Sequence, residues 1–442
     1  MKANNSLITY IESESIKCLD GGTLTSLKEA LADIIACTIA GRNTNAAEIS
    51  KEFAVSQWGT GNSSLILYRE RLTTAGAAFV NATMANALDL DDGHRFTKGH
   101  PGAVVFPAVL AVAEENNISG EEFLTALLIG YEVGIRAGIA AHLSRPDYHC
   151  TGSWGAVGAA AGVSYILGLK GNTIGNALGN AEYFGAYSPM MRCIEHPSML
   201  KDGINWGCMA GVSAAHLAKA GYTGIPSLFT QKEAEGLTHD LGKNYRVNEL
   251  YYKPYACCRW AQPAIEAIRE IQTKNILIST NINKIVIHTF TESAALSKDY
   301  PETTEEAQYN LFFPVAAFIS YGEVGPKQII DHLDDPKILS IMDKISVVID
   351  QQLNEAFPEK ALSMVKILMQ DGCTYQSEIM QARGDYNYPL TAEEKKDKFF
   401  RLTTPFLGKE PAQRLSETIQ NLEYMKSIRE LMIAIEEKNM ST

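Results

Sequence analysis

The sequence predicts a mainly α protein in which a smaller α+β domain interrupts a large helical one. Three observations predict it. Apolar residues recur at helical spacing through most of the first half; apolar and polar residues alternate in NINKIVIHTFTES, ISVVIDQQL and LSMVKILMQDG; and the tail returns to amphipathic helix. The expected boundaries are 1–268 for the first helical part, 269–393 for the α+β domain and 394–442 for the second helical part. With 442 residues, 46% of them hydrophobic, the chain is long enough to fill two or three cores.

The elements follow in order. From Leu24, TSLKEALADIIACTIAG keeps apolar residues on one helical face and stops at Gly41. Ser119 and Glu122 form a capping box that starts EEFLTALLIGYEVGIRAGIAAH. Arg136 inside that apolar helix calls for a carboxylate from the core. After Ser144-Arg145-Pro146, the glycines 152, 155, 158 and 162 interrupt an alanine-rich helix, and glycines 203, 207 and 211 recur four apart in the next. Each helix glycine costs about 1 kcal/mol relative to alanine, a cost that close helix packing offsets. Within the α+β domain, AQYNLFFPVAAFISYG and GPKQIIDHLDD are helix-like between the strands. The tail, from TAEEKKDKFF onward, is again amphipathic helix.

A formal net charge of −12 argues against nucleic-acid or anionic-membrane surfaces as partners, since both need a basic footprint. No apolar run reaches the roughly 18 residues of a membrane span, and MKANNSLITYIESES has no apolar signal core, so a cytoplasmic location is expected. The eight cysteines are scattered, with only Cys257 and Cys258 adjacent, which suits reduced thiols. Phosphate-loop, dinucleotide-fingerprint and serine-elbow motifs are missing.

Chemistry concentrates in NALDLDDGHRFTKGHPGAVVFP, Asn86 to Pro107. Asp89, Asp91, Asp92, His94, Arg95, Lys98 and His100 stand there among glycines and a proline that force a loop, pinned between apolar segments. A solvated connecting loop is the ordinary alternative. A metal site is another, but three acids and one histidine lack a helical i, i+4 pair or a cysteine partner, so no metal and no cofactor are expected. Further candidates lie at element boundaries: His149 before the Gly/Ala helix, Arg192 in MMRCIEHPSMLK, Lys201 opening the next helix, and Lys253 and Arg259 framing KPYACCRW. Taken singly, His149 reads as a core or capping histidine, Lys253 and Arg259 as solvated charges, and Met190 and Met191 as core. Lys201 in a first turn opposes the helix dipole and calls for an anionic partner. Together, an imidazole and several cations suit proton abstraction next to a carboxylate, where charge develops on the carboxylate oxygens. Loss of hydroxide then makes a dehydratase, loss of carbon dioxide a decarboxylase, and loss of nothing an epimerase. A silent dimer that binds anionic metabolites is the non-enzymatic alternative.

LDLDDGH with GHPGAVVFPAVLAVAE, GYEVGIRAG, HCTGSWGAVGAA, MLKDGINWG with GYTG, YKPYACCRW and PETTEEAQYNL occur in this order, and with them the chain resembles the MmgE/PrpD family. That family includes 2-methylcitrate dehydratase, cis-aconitate decarboxylase and iminodisuccinate epimerase. The resemblance implies a large all-helical domain with an inserted α+β lid, a homodimer, metal independence, and a site between helical domain and lid for a small polycarboxylate. It implies catalytic roles for Asp89, His100, His149 and Lys201, with Lys253 on the lid side. His94, Lys98, Arg192, Cys258 and Arg259 join Lys253 as expected substrate-binding residues. Two departures stand out: Cys258 replaces a histidine that both the decarboxylase and 2-methylcitrate dehydratase carry, as is usual in the epimerase-like branch, and Phe313 and Asn310 replace a tyrosine and a serine of the decarboxylase. Arg95, Arg192 and His196 point to a distinct branch. The expected activity is a cofactor-independent dehydratase similar to 2-methylcitrate dehydratase, with epimerase and decarboxylase as alternatives.

Overall fold

A computed structural model describes residues 2–145 and 147–437; Pro146 of the expected break and the tail residues 438–442 lie outside the described residues. Helix α1 (Gly21–Gly41) starts at Asp20, whose carboxylate accepts the Thr23 amide at 2.9 Å. It packs on α2 (Thr74–Asn86), which leads into strand β1 (Gly93–His94) and then α3 (Pro101–Asn116). The capping box of α4 (Gly120–Ser144) forms as expected, with Ser119 bonded to the Glu122 amide and Glu122 reaching back to the Ser119 amide.

By length and composition α4 could cross a membrane, contrary to the expectation that no stretch would. It is instead a buried core helix, packed against α3 and α5 (Thr151–Ile166). Its Arg136 pairs with Glu132 and, at 2.9 Å, with Asp240, so this arginine finds one core carboxylate and one that is half-buried. Helices α4 and α5 approach until a Cβ on Gly158 would sit 2.6 Å from the Gly130 carbonyl oxygen. No larger residue fits that contact, which is why the alanine-rich helix carries glycine there. The short α6 (Met190–Glu195) and then α7 (Ile204–Lys219) follow. Gly203 is not inside α7 as its spacing suggested: it is the left-handed cap before it, with φ of 64°.

Strand β2 (Leu250–Tyr251) pairs antiparallel with β1, carrying the second half of the chain back onto the acidic loop. After α8 (Gln262–Lys274), β3 (Ile282–Thr289) enters a sheet that α9 (Thr304–Gln308) flanks in sequence. The other strands are β4 (Ile345–Ile349), β5 (Leu362–Met369), β6 (Thr374–Gln376) and β7 (Met380–Gln381). The order is β4-β3-β5-β6, with β7 also on β5; β3 runs parallel to β4 and antiparallel to β5. Alternation buries Ile285, Ile287, Val365 and Ile367 on the face covered by α8. ISVVIDQQL is a strand only as far as Ile349. Asp350 then accepts the Gln352 and Leu353 amides and starts a helix. In the tail, α10 (Ala392–Leu407) returns to α1, where Lys398 meets Asp33 at 2.6 Å. The same ammonium donates to the Leu90 carbonyl at 2.7 Å, so the tail props up the acidic loop.

Candidate active site

The three aspartates between α2 and α3 do different work. Asp92 accepts the Gly102 amide (3.0 Å) at the N-terminus of α3 and the Tyr131 hydroxyl (2.7 Å). Burial pushes its carboxyl up to about 7. Asp91 accepts from the Asn86 amide at 2.8 Å and places its other oxygen 3.1 Å from His100 Nδ1. Asp89, in a left-handed bend with φ of 53°, turns away from both, toward a cavity.

His100 precedes α3, and its Nδ1 also lies 3.0 Å from the Asp92 carbonyl oxygen. Both neighbours of Nδ1 accept, so Nδ1 carries the proton and Nε2 is the nitrogen that exchanges one. Nε2 stands 3.5 Å from Asp89 Oδ1. Burial alone would lower the imidazole pKa, but Asp91, helped by Asp89, raises it above the ordinary value.

Lys253 Nζ lies 3.0 Å from Asp89 Oδ2 and Lys201 Nζ 3.8 Å from Asp89 Oδ1. Burial would lift the Asp89 carboxyl, yet Lys253, Lys201 and His100 hold it down at about 2. Burial likewise works against the charge on Lys253, and Asp89 more than restores it.

Lys201 does not open a helix as expected; α7 begins at Ile204. Lys201, Asp202 and Gly203 all adopt left-handed backbone, with φ of 36°, 60° and 64°. Two of these are not glycine, a local cost of order 1–3 kcal/mol each of the kind that collects at functional sites. The turn is held by Asp202, which accepts the Thr151 amide (2.7 Å) and hydroxyl at the start of α5. Close by, Gly152 lies so near the Gly203 carbonyl that a Cβ would sit 2.1 Å from it. The partner of Lys201 is chiefly an amide: its ammonium donates to Gln308 Oε1 at 2.5 Å, while Gln308 Nε2 donates to the Ala87 carbonyl at 3.0 Å.

A cavity of about 250 Å³ opens over this cluster. Asp89, His100, Lys253 and Cys258 are on its wall, with the Cys258 thiol pushed up to about 12 by burial and therefore neutral. Lys98, Arg95 and Arg259 add cations and Tyr148, Tyr251 and Tyr309 add phenols. Arg95 is held by Glu359 (2.7 Å) and Arg259 by Asp385, whereas Lys98 has no carboxylate partner among the described residues. Met190, Met191, Ile194, Trp260, Phe357 and Pro358 supply its apolar residues, and Glu292 completes the wall. Lys201 stands just behind it, its ammonium 5.1 Å from the centre of the Tyr309 ring.

Besides Lys201, three expected site residues do not line this cavity. His94 is fully buried in β1, with Nε2 3.2 Å from Glu249. His149 sits in extended backbone bridged to Pro189, where neighbouring side chains point opposite ways; Tyr148 faces the cavity and His149 faces away. Its ring stacks on His142 at 4.5 Å between centroids, and burial lowers its pKa. Arg192 is exposed on α6, whose Met190, Met191 and Ile194 line the cavity instead. Conversely, Tyr148, Tyr251, Gln308 and Tyr309 escaped the sequence reading. The last two lie within PETTEEAQYNL, and a polar amide in so acidic a motif was a usable signal.

Asp89, Asp91 and His100 offer ligand atoms within 4.8 Å of one another, a spacing that could hold a cation. The two lysines already on Asp89 set positive charge where such an ion would need to approach.

Comparison with known proteins accords with this architecture. Residues 5–247 match the MmgE/PrpD N-terminal domain and residues 255–424 the MmgE/PrpD C-terminal domain. The chain is 26% identical to the cis-aconitate decarboxylase-like protein oryM of Aspergillus oryzae, over 93% of this chain and 92% of the relative. It is 23% identical to a cis-aconitate decarboxylase of Aspergillus terreus, over 92% and 91% of the two chains. The cis-aconitate decarboxylase of Homo sapiens is 21% identical, over 95% and 91%. With both domains matched in order across most of its length, the chain belongs to the MmgE/PrpD family.

Proposed function

We propose that this protein is a cofactor-independent lyase that abstracts a proton next to a carboxylate of a small polycarboxylate, and that it acts as a dehydratase of a hydroxy acid. The observation that carries the reading is His100 on the cavity wall, with Nδ1 committed to Asp91 and the Asp92 carbonyl and Nε2 left beside Asp89, which two lysines face. The relatives, decarboxylases by name, support a lyase in general.

In this reading Lys98 and Lys253 hold the substrate carboxylate, Lys201 adds positive charge from just behind the wall, and neutral His100 takes the proton from the adjacent carbon. The electron pair moves into that carboxylate, where fixed cations stabilise the developing charge. As the double bond forms, hydroxide leaves the neighbouring carbon and departs as water with the proton that His100 has just taken. Asp89 offsets the lysine charges and steadies the imidazolium. No metal is needed, because the ammonium groups of Lys253 and Lys201 take the role of a Lewis acid. The α+β part, 269–393, acts as a lid: Glu292, Tyr309, Phe357 and Pro358 of the wall come from it. The protein pairs with a second copy and so covers the partly exposed cluster of Phe53, Trp58, Phe79 and Trp206, whose rings pack 4.9–6.2 Å apart.

The test is turnover of citrate, 2-methylcitrate, cis-aconitate and iminodisuccinate in deuterium oxide, followed by NMR. An alkene formed from a hydroxy acid supports dehydration. Deuterium incorporated without alkene makes the enzyme an epimerase, carbon dioxide released from cis-aconitate makes it a decarboxylase, and no exchange into any acid makes it a binder. Restoration of chelator-treated protein by one divalent ion would overturn metal independence.

A further inference from the structure

The cavity is built for two kinds of surface at once. Its charged part is the cluster around Asp89; its apolar part has two flanks, Met190, Met191 and Ile194 on α6, and Trp260, Phe357 and Pro358 opposite in sequence. The second flank is braced: Trp260 meets Phe357 edge to face at 6.1 Å, and Phe290 stacks on Phe357 at 4.5 Å. Glu292, two residues beyond Phe290, adds a carboxylate to the wall. The cations and phenols of the wall can take carboxylates, but a carboxylate set against the thioethers, the rings or Glu292 would lose hydration with no donor in return, so the flanks suit an apolar group.

We infer that the substrate carries an apolar arm of several carbons beside its carboxylates: an alkyl-substituted di- or tricarboxylate whose charged end lies at Lys253 and whose arm lies between α6 and Phe357. The inference rests on the proposed reading of the cavity as a polycarboxylate site and specifies which member of that class it takes. The methionines suit an arm of variable length, because their unbranched thioethers adapt to irregular shapes. Full burial of a methylene is worth about 0.8 kcal/mol, about fourfold in affinity, and a flank open to solvent on one side gives roughly twofold to fourfold.

The experiment is calorimetric titration of the protein with succinate, methylsuccinate, propylsuccinate and pentylsuccinate, none of which has a hydroxyl to eliminate. The expected result is a Kd that falls about twofold to fourfold per added methylene as far as the propyl or pentyl acid. Phe357→Ser and Ile194→Ser should shrink the ratio between pentylsuccinate and succinate. Equal affinities across the series, or tightest binding by the unsubstituted triacid tricarballylate, overturn the inference. A rising series in a protein that turns over no hydroxy acid leaves the inference standing and removes the dehydratase reading. Failure of every acid to bind overturns both.

Discussion

Asp89 and Lys253 meet at 3.0 Å with 3% and 2% of their side chains exposed, so each charge depends on the other for its place in the protein. Removing one partner of such a pair strands the other; losses of 3–5 kcal/mol are typical. Lys253→Met should therefore lower unfolding stability by about 3 kcal/mol, the lower end of that range, because Lys201 still faces Asp89 at 3.8 Å. Adding Asp89→Asn should recover most of the loss. A double-mutant cycle by chemical denaturation checks this, and strictly additive losses would show that the two are not coupled.

The pH dependence should report His100. Its pKa is raised in the folded protein by Asp91 and Asp89 against the opposing effect of burial, and the neutral ring is the base. Turnover at low substrate should thus climb as pH rises through a value above 6.5, and Asp91→Asn should move that inflection downward. The stability linkage has the opposite sense. A raised histidine pKa contributes stability that is complete below the unfolded value near 6.5 and is lost as pH rises through the folded value. A profile of kcat/KM against pH that Asp91→Asn leaves in place would assign the base elsewhere.

The loop Asn86–Pro107 was legible because its acids, imidazoles and glycines are adjacent in sequence, and the capping box of α4 because its two residues are three apart. What could not be read was the direction in which side chains point. His149 follows Tyr148, and only the bridge of extended backbone to Pro189 decides that the tyrosine faces the cavity. His94 was expected beside His100 as a substrate-binding residue, but pairing of β1 with β2, about 155 positions on, buries it beside Glu249. The left-handed backbone at Lys201 was equally hidden, since a lysine before Asp-Gly reads as the start of a helix. The turn exists because Asp202 satisfies the free amide of Thr151 on another helix.

Asp92 offers a stability test separate from catalysis. Burial holds its carboxyl at about 7 against an ordinary 3.8, so the folded state retains a proton that the unfolded chain releases. Its contribution accordingly falls as pH rises from about 4 to about 7 and is flat above that. Asp92→Asn carries no such charge. Measured as unfolding free energy, the variant should gain on the parent progressively over that window. A difference independent of pH would mean that Asp92 is charged throughout and held by the Tyr131 hydroxyl and the Gly102 amide.

The sharpest test concerns Lys201 and the amide that holds it. Gln308 accepts from the ammonium at 2.5 Å and donates to the Ala87 carbonyl at 3.0 Å, which fixes the lysine without neutralising it. Gln308→Glu keeps the shape but adds a negative charge beside Lys201 and turns an acceptor toward the Ala87 oxygen. In the proposed chemistry Lys201 stabilises charge on the substrate carboxylate, so kcat/KM should fall by roughly two to three orders of magnitude, as for loss of one charge-stabilising donor. Lys201→Met should fall at least as far. Gln308→Leu removes both bonds but leaves the lysine charged; it should loosen the site and cost less activity than Gln308→Glu. If Gln308→Glu folds and works within a few-fold of the parent, the charge on Lys201 serves the turn at 201–203 and not the substrate. If Gln308→Leu is the worse variant, the amide matters for its tie to Ala87, and the acidic loop is the element it positions.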